Sequence, residues 1–157
     1  MTDAPLPYRR NVGIMLLNRA GLAWVGRRKD TPDAWQMPQG GIDPGEDPRT
    51  AALRELEEEI GTARVAVLGE TAGWLRYEFP PELQRKGWMK RFAGQEQKWF
   101  CCRFLGRDAD INLETEHPEF DAWRWVPVED LVGLIVPFKR AIYESVVAEF
   151  RPLAIPG

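Results

Sequence analysis

The segment from Asp47 to Gly61, DPRTAALRELEEEIG, is a bounded helix on its own evidence of caps and spacing. Asp47 is a good N-cap, and Pro48 fits the first turn, where a missing N–H costs nothing. Gly61 follows the last helical residue, where a left-handed cap is expected. Between them Ala52, Leu53, Leu56 and Ile60 share one stripe, so that face must meet a core. Glu55, Glu58 and Glu59 stand at i, i+3 and i+4 on an adjoining stripe, while Glu57 points elsewhere.

A run of acids usually marks a solvated helix face. Two costs argue against that here. Like charges at these spacings lose roughly 0.2–0.5 kcal/mol per pair, and acids near a helix C-terminus meet the unfavourable end of its dipole. No lysine is interleaved to relieve them. A divalent cation would turn the repulsion into ligation, and an all-oxygen set without nearby Cys or His suits Mg²⁺ or Mn²⁺ rather than Zn²⁺. Arg54, beside Glu55 and one turn before Glu58, is placed to orient a carboxylate.

Gly40, five residues, Glu46, seven residues, then Arg54-Glu55-Leu56-Glu57-Glu58-Glu59-Ile60-Gly61: this pattern resembles the signature of the Nudix hydrolases. The box spans residues 40–62, and its one departure is Thr62, where the family usually has an aliphatic residue. The resemblance implies that Glu58 and Glu59 bind metal and that Glu55 binds metal or acts as general base. It also implies a catalytic set of Glu55 and Arg54, with the Gly40 carbonyl as a further metal ligand. For Glu46, support of the loop–helix junction and a ligand role both stand open. The implied fold is α/β, a Nudix α/β/α sandwich with a mixed β-sheet between helices.

The rest of the chain supplies elements for such a sheet. Val12 to Leu17 is a short apolar run suited to a strand buried on both faces, and Leu22 to Arg28 returns from a turn at Asn18–Gly21 as the second arm of a hairpin. Among Arg27, Arg28 and Lys29, just ahead of the box, at least one is expected to contact phosphate or base. Further strands are expected at Val65–Leu68, at Thr71–Phe79 up to Pro80-Pro81, at Gln97–Leu105, at Ile111–Leu113 and at Phe120–Val126. A helical turn is expected at Val128–Leu134. Phe138, Ile142, Val146 and Phe150 then recur on one face of a last helix. His117, the one histidine, falls in a loop before Pro118. The stretch 82–97 carries Arg85, Lys86, Lys90 and Arg91 around Trp88 and Phe92. Such interleaving suits a single-stranded nucleotide, and equally an ordinary mobile loop with an amphipathic anchor.

With 157 residues, 44% hydrophobic and 29% charged, the chain fits a single domain over residues 1–157. It has no apolar run long enough for a membrane and no signal-peptide core near Met1, so a cytoplasmic protein with no membrane association is expected. Cys101 and Cys102, adjacent in a strand, point to opposite faces and read as buried packing residues. The formal charge of −3 gives no global attraction to nucleic acid, so an anionic substrate must be drawn locally. Nothing in the sequence identifies a protein partner.

Outside the box, Tyr8-Arg9 with Asn11-Val12-Gly13, Trp74-Leu75-Arg76-Tyr77, Gly94-Gln95 with Gln97-Lys98-Trp99-Phe100, Pro118-Glu119-Phe120-Asp121 and Phe138-Lys139-Arg140 stand in order. Together they resemble the branch of bacterial RNA pyrophosphohydrolases and dinucleoside polyphosphate hydrolases. Arg10 departs from it, since relatives often carry Pro there. The resemblance implies a metal-dependent hydrolase of phosphoanhydrides that removes pyrophosphate from 5′-triphosphorylated RNA, cleaves dinucleoside polyphosphates such as diadenosine tetraphosphate, or both. It adds Glu119 to the metal site and places a base between Arg28 and Phe138. For Phe138 the competing reading is the first core residue of the last helix. Arg9, Lys98 and Tyr77 are candidates for steadying the phosphate chain, being cations and a hydrogen-bond donor. The alternatives are a small-nucleotide housecleaning pyrophosphatase, a non-catalytic nucleotide-binding Nudix module, which would normally have lost box acids, and a purely structural domain.

Overall fold

The structure, a computed structural model, describes residues 5–31 and 33–157. In chain order its elements are β1 (Tyr8–Leu17), β2 (Ala23–Arg28), β3 (Trp35–Gln36), β4 (Gln39–Gly41), α1 (Pro48–Ile60), β5 (Val65–Glu70), β6 (Leu75–Glu78), β7 (Gly94–Phe104), β8 (Phe120–Val126), α2 (Leu131–Leu134) and α3 (Arg140–Phe150).

From Asn11 to Leu17 every residue of β1 is buried, so this strand needs cover on both faces and neighbours on both sides. It runs parallel to β7 in unbroken register from Tyr8↔Gly94 to Leu17↔Arg103, and antiparallel to β4 on its other edge. The remaining pairings are antiparallel, which makes the sheet mixed. Alternation along β1 and β7 then splits the core in two. Val12, Ile14, Leu16, Phe100 and Cys102 meet Ala52, Leu56 and Ile60 of α1 on one face. Met15, Leu17, Trp99 and Cys101 meet Ile142, Tyr143, Val146 and Phe150 of α3 on the other. The result is the expected α/β/α sandwich. The two cysteines face opposite ways, both free and buried, and burial pushes each thiol up to about 12.

Several sequence expectations change, among them the strand expected at Thr71–Phe79, which is formed only over Leu75–Glu78. The hairpin of β1 and β2 is joined only at its base, Leu17↔Ala23, because β2 swings away to pair with β8 along its whole length. β7 begins at Gly94, earlier than Gln97, since main-chain pairing with β1 and β6 extends the strand through polar residues. Residues 111–113 form no strand; Asn112 instead donates its N–H to Ile60 O at the end of α1. Phe138 belongs to a 3₁₀ turn, Pro137–Lys139, ahead of α3.

Candidate active site

α1 is set by its ends as anticipated. The Asp47 carboxylate accepts from Thr50 N at 3.3 Å, and Gly61 takes a left-handed φ of 81° while its N–H donates to Glu57 O. The apolar stripe differs slightly: Ala51, Ala52, Leu56 and Ile60 are buried, and Leu53 is only half-buried. Glu59 is buried with them.

Arg54 ties the preceding loop to the helix. Its Nε and Nη2 donate to the Glu46 carboxylate at 2.8 Å each, Nη2 donates to Gly41 O at 2.9 Å, and Nη1 donates to Glu55 at 3.0 Å and Glu58 at 3.2 Å. Glu46 also accepts from Asp43 N at 3.0 Å. Both Glu46 oxygens are thus engaged in holding the loop, and the Arg54 guanidinium keeps its carboxyl at about 2. Of the two roles open to Glu46, the structure builds the supporting one. Arg54 thus touches the carboxylates of Glu46, Glu55 and Glu58 at once.

The α1 carboxylates line a trough of about 170 Å³ whose other wall is Thr115, Glu116, His117 and Glu119. Glu119, 60 residues beyond Glu59 in the sequence, reaches it through a register slip. Arg27 pairs with Ala122 and Arg28 with Phe120, leaving Asp121 as the extra residue of β8, its carboxylate taking Arg27 Nε at 2.8 Å. Just before the strand, Glu119 O accepts from Lys29 N at 3.0 Å. A bulge of this kind re-aims the residues beside it.

Glu59 is 4% exposed, and among the described residues neither carboxylate oxygen has a hydrogen-bond partner. The Gln39 main-chain N–H faces it without completing a bond. Burial, then the charges of Glu119 and Glu55, push its carboxyl well above the usual range. Burial likewise lifts Glu55 to about 7, against the pull of Arg54. Among the described residues, no three Asp, Glu, His or Cys side chains are gathered tightly enough to hold an ion as they stand. The donor set nonetheless fits a hard cation: orphaned, buried, all-oxygen and mutually repelling. Gly40 lies against it, since a Cβ there would sit 2.0 Å from Glu55 Cδ.

A second cavity, about 440 Å³, opens on the α3 side of the sheet. Arg28, Tyr77, Gln95, Phe138, Lys139 and Trp88 are among its lining. Arg28 is held by a two-point pair with Asp30, 2.8 Å at each contact. Phe138 is half-buried against the Tyr77 ring, with centroids 5.8 Å apart. Tyr77 OH accepts from Gln95 Nε2 at 2.5 Å, and burial raises the phenol to about 12. Arg9 stacks over Trp88, its Cζ 4.4 Å from the ring centroid, and its guanidinium lies against Gly41. Of the three cations ahead of the box, only Arg28 lines this cavity.

Lys98 is brought to neither cavity. Pairing with Val12 puts it on the α1 face of the sheet, where it meets Glu70 at 3.5 Å. Strand alternation decides this: Gln95, Gln97 and Trp99 point to the other face. The sequence reading also missed residues. Lys139, read as a neighbour of Phe138, is 9% exposed and lines the second cavity. Its amine is lowered to about 8 by burial and by Arg28. His117, read as a loop residue, lines the trough, and so does Glu116 beside it. Strand parity could have excluded Lys98; no local signal marks Lys139 as buried.

A mixed sheet between helices, with a Gly-Gly strand laid against a glutamate helix, defines the class. The NUDIX domain family model matches residues 7–146, and the chain belongs to the Nudix family. Members of that family generally use divalent metal ions. The chain is 65% identical over 156 residues to the RNA pyrophosphohydrolase of Rhodospirillum rubrum, covering 99% of this chain and 94% of that one. It is 52% identical over 161 residues to the RNA pyrophosphohydrolase of Agrobacterium fabrum, covering 95% of each. In fold it is similar to the E. coli dihydroneopterin triphosphate pyrophosphohydrolase, with a TM-score of 0.66 at 19% identity over 91% of this chain and 99% of that one. A C. elegans Ap4A hydrolase matches with a TM-score of 0.63 at 18% identity, over 90% of this chain and 98% of that one. Among the described residues no helix is long and apolar enough to cross a membrane.

Proposed function

We propose that this protein is a Mg²⁺-dependent RNA pyrophosphohydrolase that converts a 5′-triphosphorylated RNA end to a monophosphate and releases pyrophosphate. The observation that carries the reading is the orphaned Glu59 carboxylate, which shares its trough with Glu55 and Glu119 and feels the charge of Arg28 in the second cavity. Glu55, Glu58, Glu59, Glu119 and the Gly40 carbonyl would hold the metal. When bound, it neutralises phosphate oxygens and acidifies a water molecule.

The chain's own groups do the rest. Glu55 takes a proton from the attacking water; the water oxygen bonds to phosphorus and the anhydride bond to the leaving pyrophosphate breaks. Arg54 fixes the Glu55 and Glu58 carboxylates through its fork. Arg28 and Phe138 clasp a base between a guanidinium plane and a ring, which tolerates base identity. Arg9, held over Trp88, steadies the phosphate chain with its guanidinium, and Tyr77 bounds the second cavity.

Dinucleoside polyphosphates present the same anhydride chain and one base that fits the 440 Å³ cavity, so they form the second reading. A competition assay decides: a triphosphorylated oligonucleotide and diadenosine tetraphosphate are offered together with Mg²⁺. Preferential loss of the oligonucleotide triphosphate supports the proposal; preferential consumption of the dinucleotide favours the second reading.

A further inference from the structure

The segment between β6 and β7 supplies Trp88, Leu83 and Met89 to the lining of the second cavity. It is not an unanchored loop. Phe79 N donates to Ala93 O at 3.0 Å, Leu83 N to Pro80 O at 2.9 Å, and Ala93 N to Pro7 O at 2.9 Å, while residues 87–91 form a 3₁₀ turn. Leu83, Met89 and Phe92 pack on the α3-side core. Trp88 stands edge-to-face with Phe79 at 5.7 Å and Phe92 at 6.1 Å. It remains 44% exposed, lines the cavity, and carries Arg9 on its face.

The charges on this strap are as one-sided as its rings. Between Pro80 and Phe92 the net charge is +3, in a protein whose formal charge is −3. Arg85, Lys86, Lys90 and Arg91 are all exposed, and none forms an ion pair among the described residues. A packed turn that presents an open indole and uncompensated cations at a cavity mouth has the chemistry of a single-stranded nucleic-acid track. The trough holds glutamates, so a polyanion leaving the cavity is repelled there and attracted to the strap.

We propose that the 85–91 strap binds the RNA chain beyond its first two nucleotides, with Trp88 stacking on a base and Lys86, Lys90 and Arg91 contacting its phosphates. This rests on the RNA-end reading above and deepens it: the strap makes substrate length, rather than the triphosphate alone, a determinant of rate. Trp88 has a second effect, positioning Arg9 between the indole and Gly41.

The test compares a triphosphorylated dinucleotide with a triphosphorylated ten-nucleotide RNA across a salt series. Lys86→Ser/Lys90→Ser/Arg91→Ser removes three phosphate contacts from exposed positions. The expected result is a loss of about tenfold or more in kcat/KM on the ten-nucleotide RNA and a log–log salt slope shallower by about 2, at roughly 0.7 per contact. On the dinucleotide the triple variant works at the wild-type rate. An equal fall on both substrates, or none on the longer one, overturns the track. If the wild type cleaves neither RNA, the RNA-end reading fails, and the track is judged by fluorescence anisotropy of a labelled ten-nucleotide RNA. There a shallower salt slope in the triple variant supports it, and an unchanged slope overturns it.

Discussion

Gly40 and Glu55 share one space: a Cβ on Gly40 would lie 2.0 Å from Glu55 Cδ and 2.1 Å from its Oε2. The glycine strand and the acidic helix therefore meet through the Glu55 carboxylate. Gly40→Ala must displace Glu55, the far end of a flexible side chain, more readily than the paired strand β4. The expected outcome is a protein that folds, losing about 1–3 kcal/mol in a denaturant titration, with kcat lowered at least tenfold. Full activity in Gly40→Ala would show that Glu55 need not occupy its present place.

Glu59 and Glu55 are held toward their protonated forms by burial in the metal-free protein. For Glu55 this means that the folded state binds more protons than the unfolded one between pH 4.5 and about 7, and Glu59 acts in the same direction. Their contribution to metal-free stability is thus lost as pH rises through that window. A divalent cation requires the ionised carboxylates, so saturating Mg²⁺ should raise Tm more at pH 8 than at pH 6. Glu59→Gln should raise the metal-free Tm at pH 8 by a few degrees and blunt the Mg²⁺ increment. An increment independent of pH would show that these groups do not bind the ion.

Lys139 titrates in the opposite sense. Its amine is lowered to about 8 by burial, so above that pH the unfolded chain binds the extra proton, and stability rises toward pH 10.5. Below about 8 the buried charge opposes folding, by up to about 3 kcal/mol. Lys139→Met should stabilise the protein at pH 7 in denaturant titrations and remove most of the gain on going to pH 10. Equal slopes for both proteins over pH 8–10 would contradict this.

Phe138 is half-buried, precedes α3, and lines the same cavity as Arg28. Phe138→Ala should raise KM for a triphosphorylated RNA about tenfold, the scale of one base stack, with kcat and Tm nearly unchanged. Arg28→Ala should act in the same direction. A large drop in Tm with unaltered KM would return Phe138 to the core.

Much of this arrangement can be read from the chain because it is local. The caps of α1 need only Asp47, Pro48 and Gly61, and the carboxylate stripe needs only helical spacing. The bounds of β8 follow from Phe120–Val126 alone. What escapes the sequence depends on neighbours far along the chain. The polar start of β7 at Gly94 exists because Tyr8 pairs with it, and the open hairpin exists because β8 competes for β2. Lys139 looks like any surface lysine until Tyr77 and Phe138 close over it, and Lys98 looks like a phosphate ligand until strand parity turns it toward Glu70. Glu119 needed the family resemblance. The bulge at Asp121 that brings it to the trough leaves no mark in composition or periodicity.

The most direct measurement follows a label placed on the γ-phosphate of a triphosphorylated RNA, incubated with Mg²⁺ and the wild type, Glu59→Gln or Glu57→Gln. The carboxylates of the trough predict that the wild type releases labelled pyrophosphate or phosphate and leaves a 5′-monophosphate. Glu57, exposed on another face of α1, should be dispensable, and Glu59→Gln should slow release by at least a hundredfold with folding intact. Release by Glu59→Gln at the wild-type rate in saturating Mg²⁺, or label retained on the RNA by the wild type, would contradict the account.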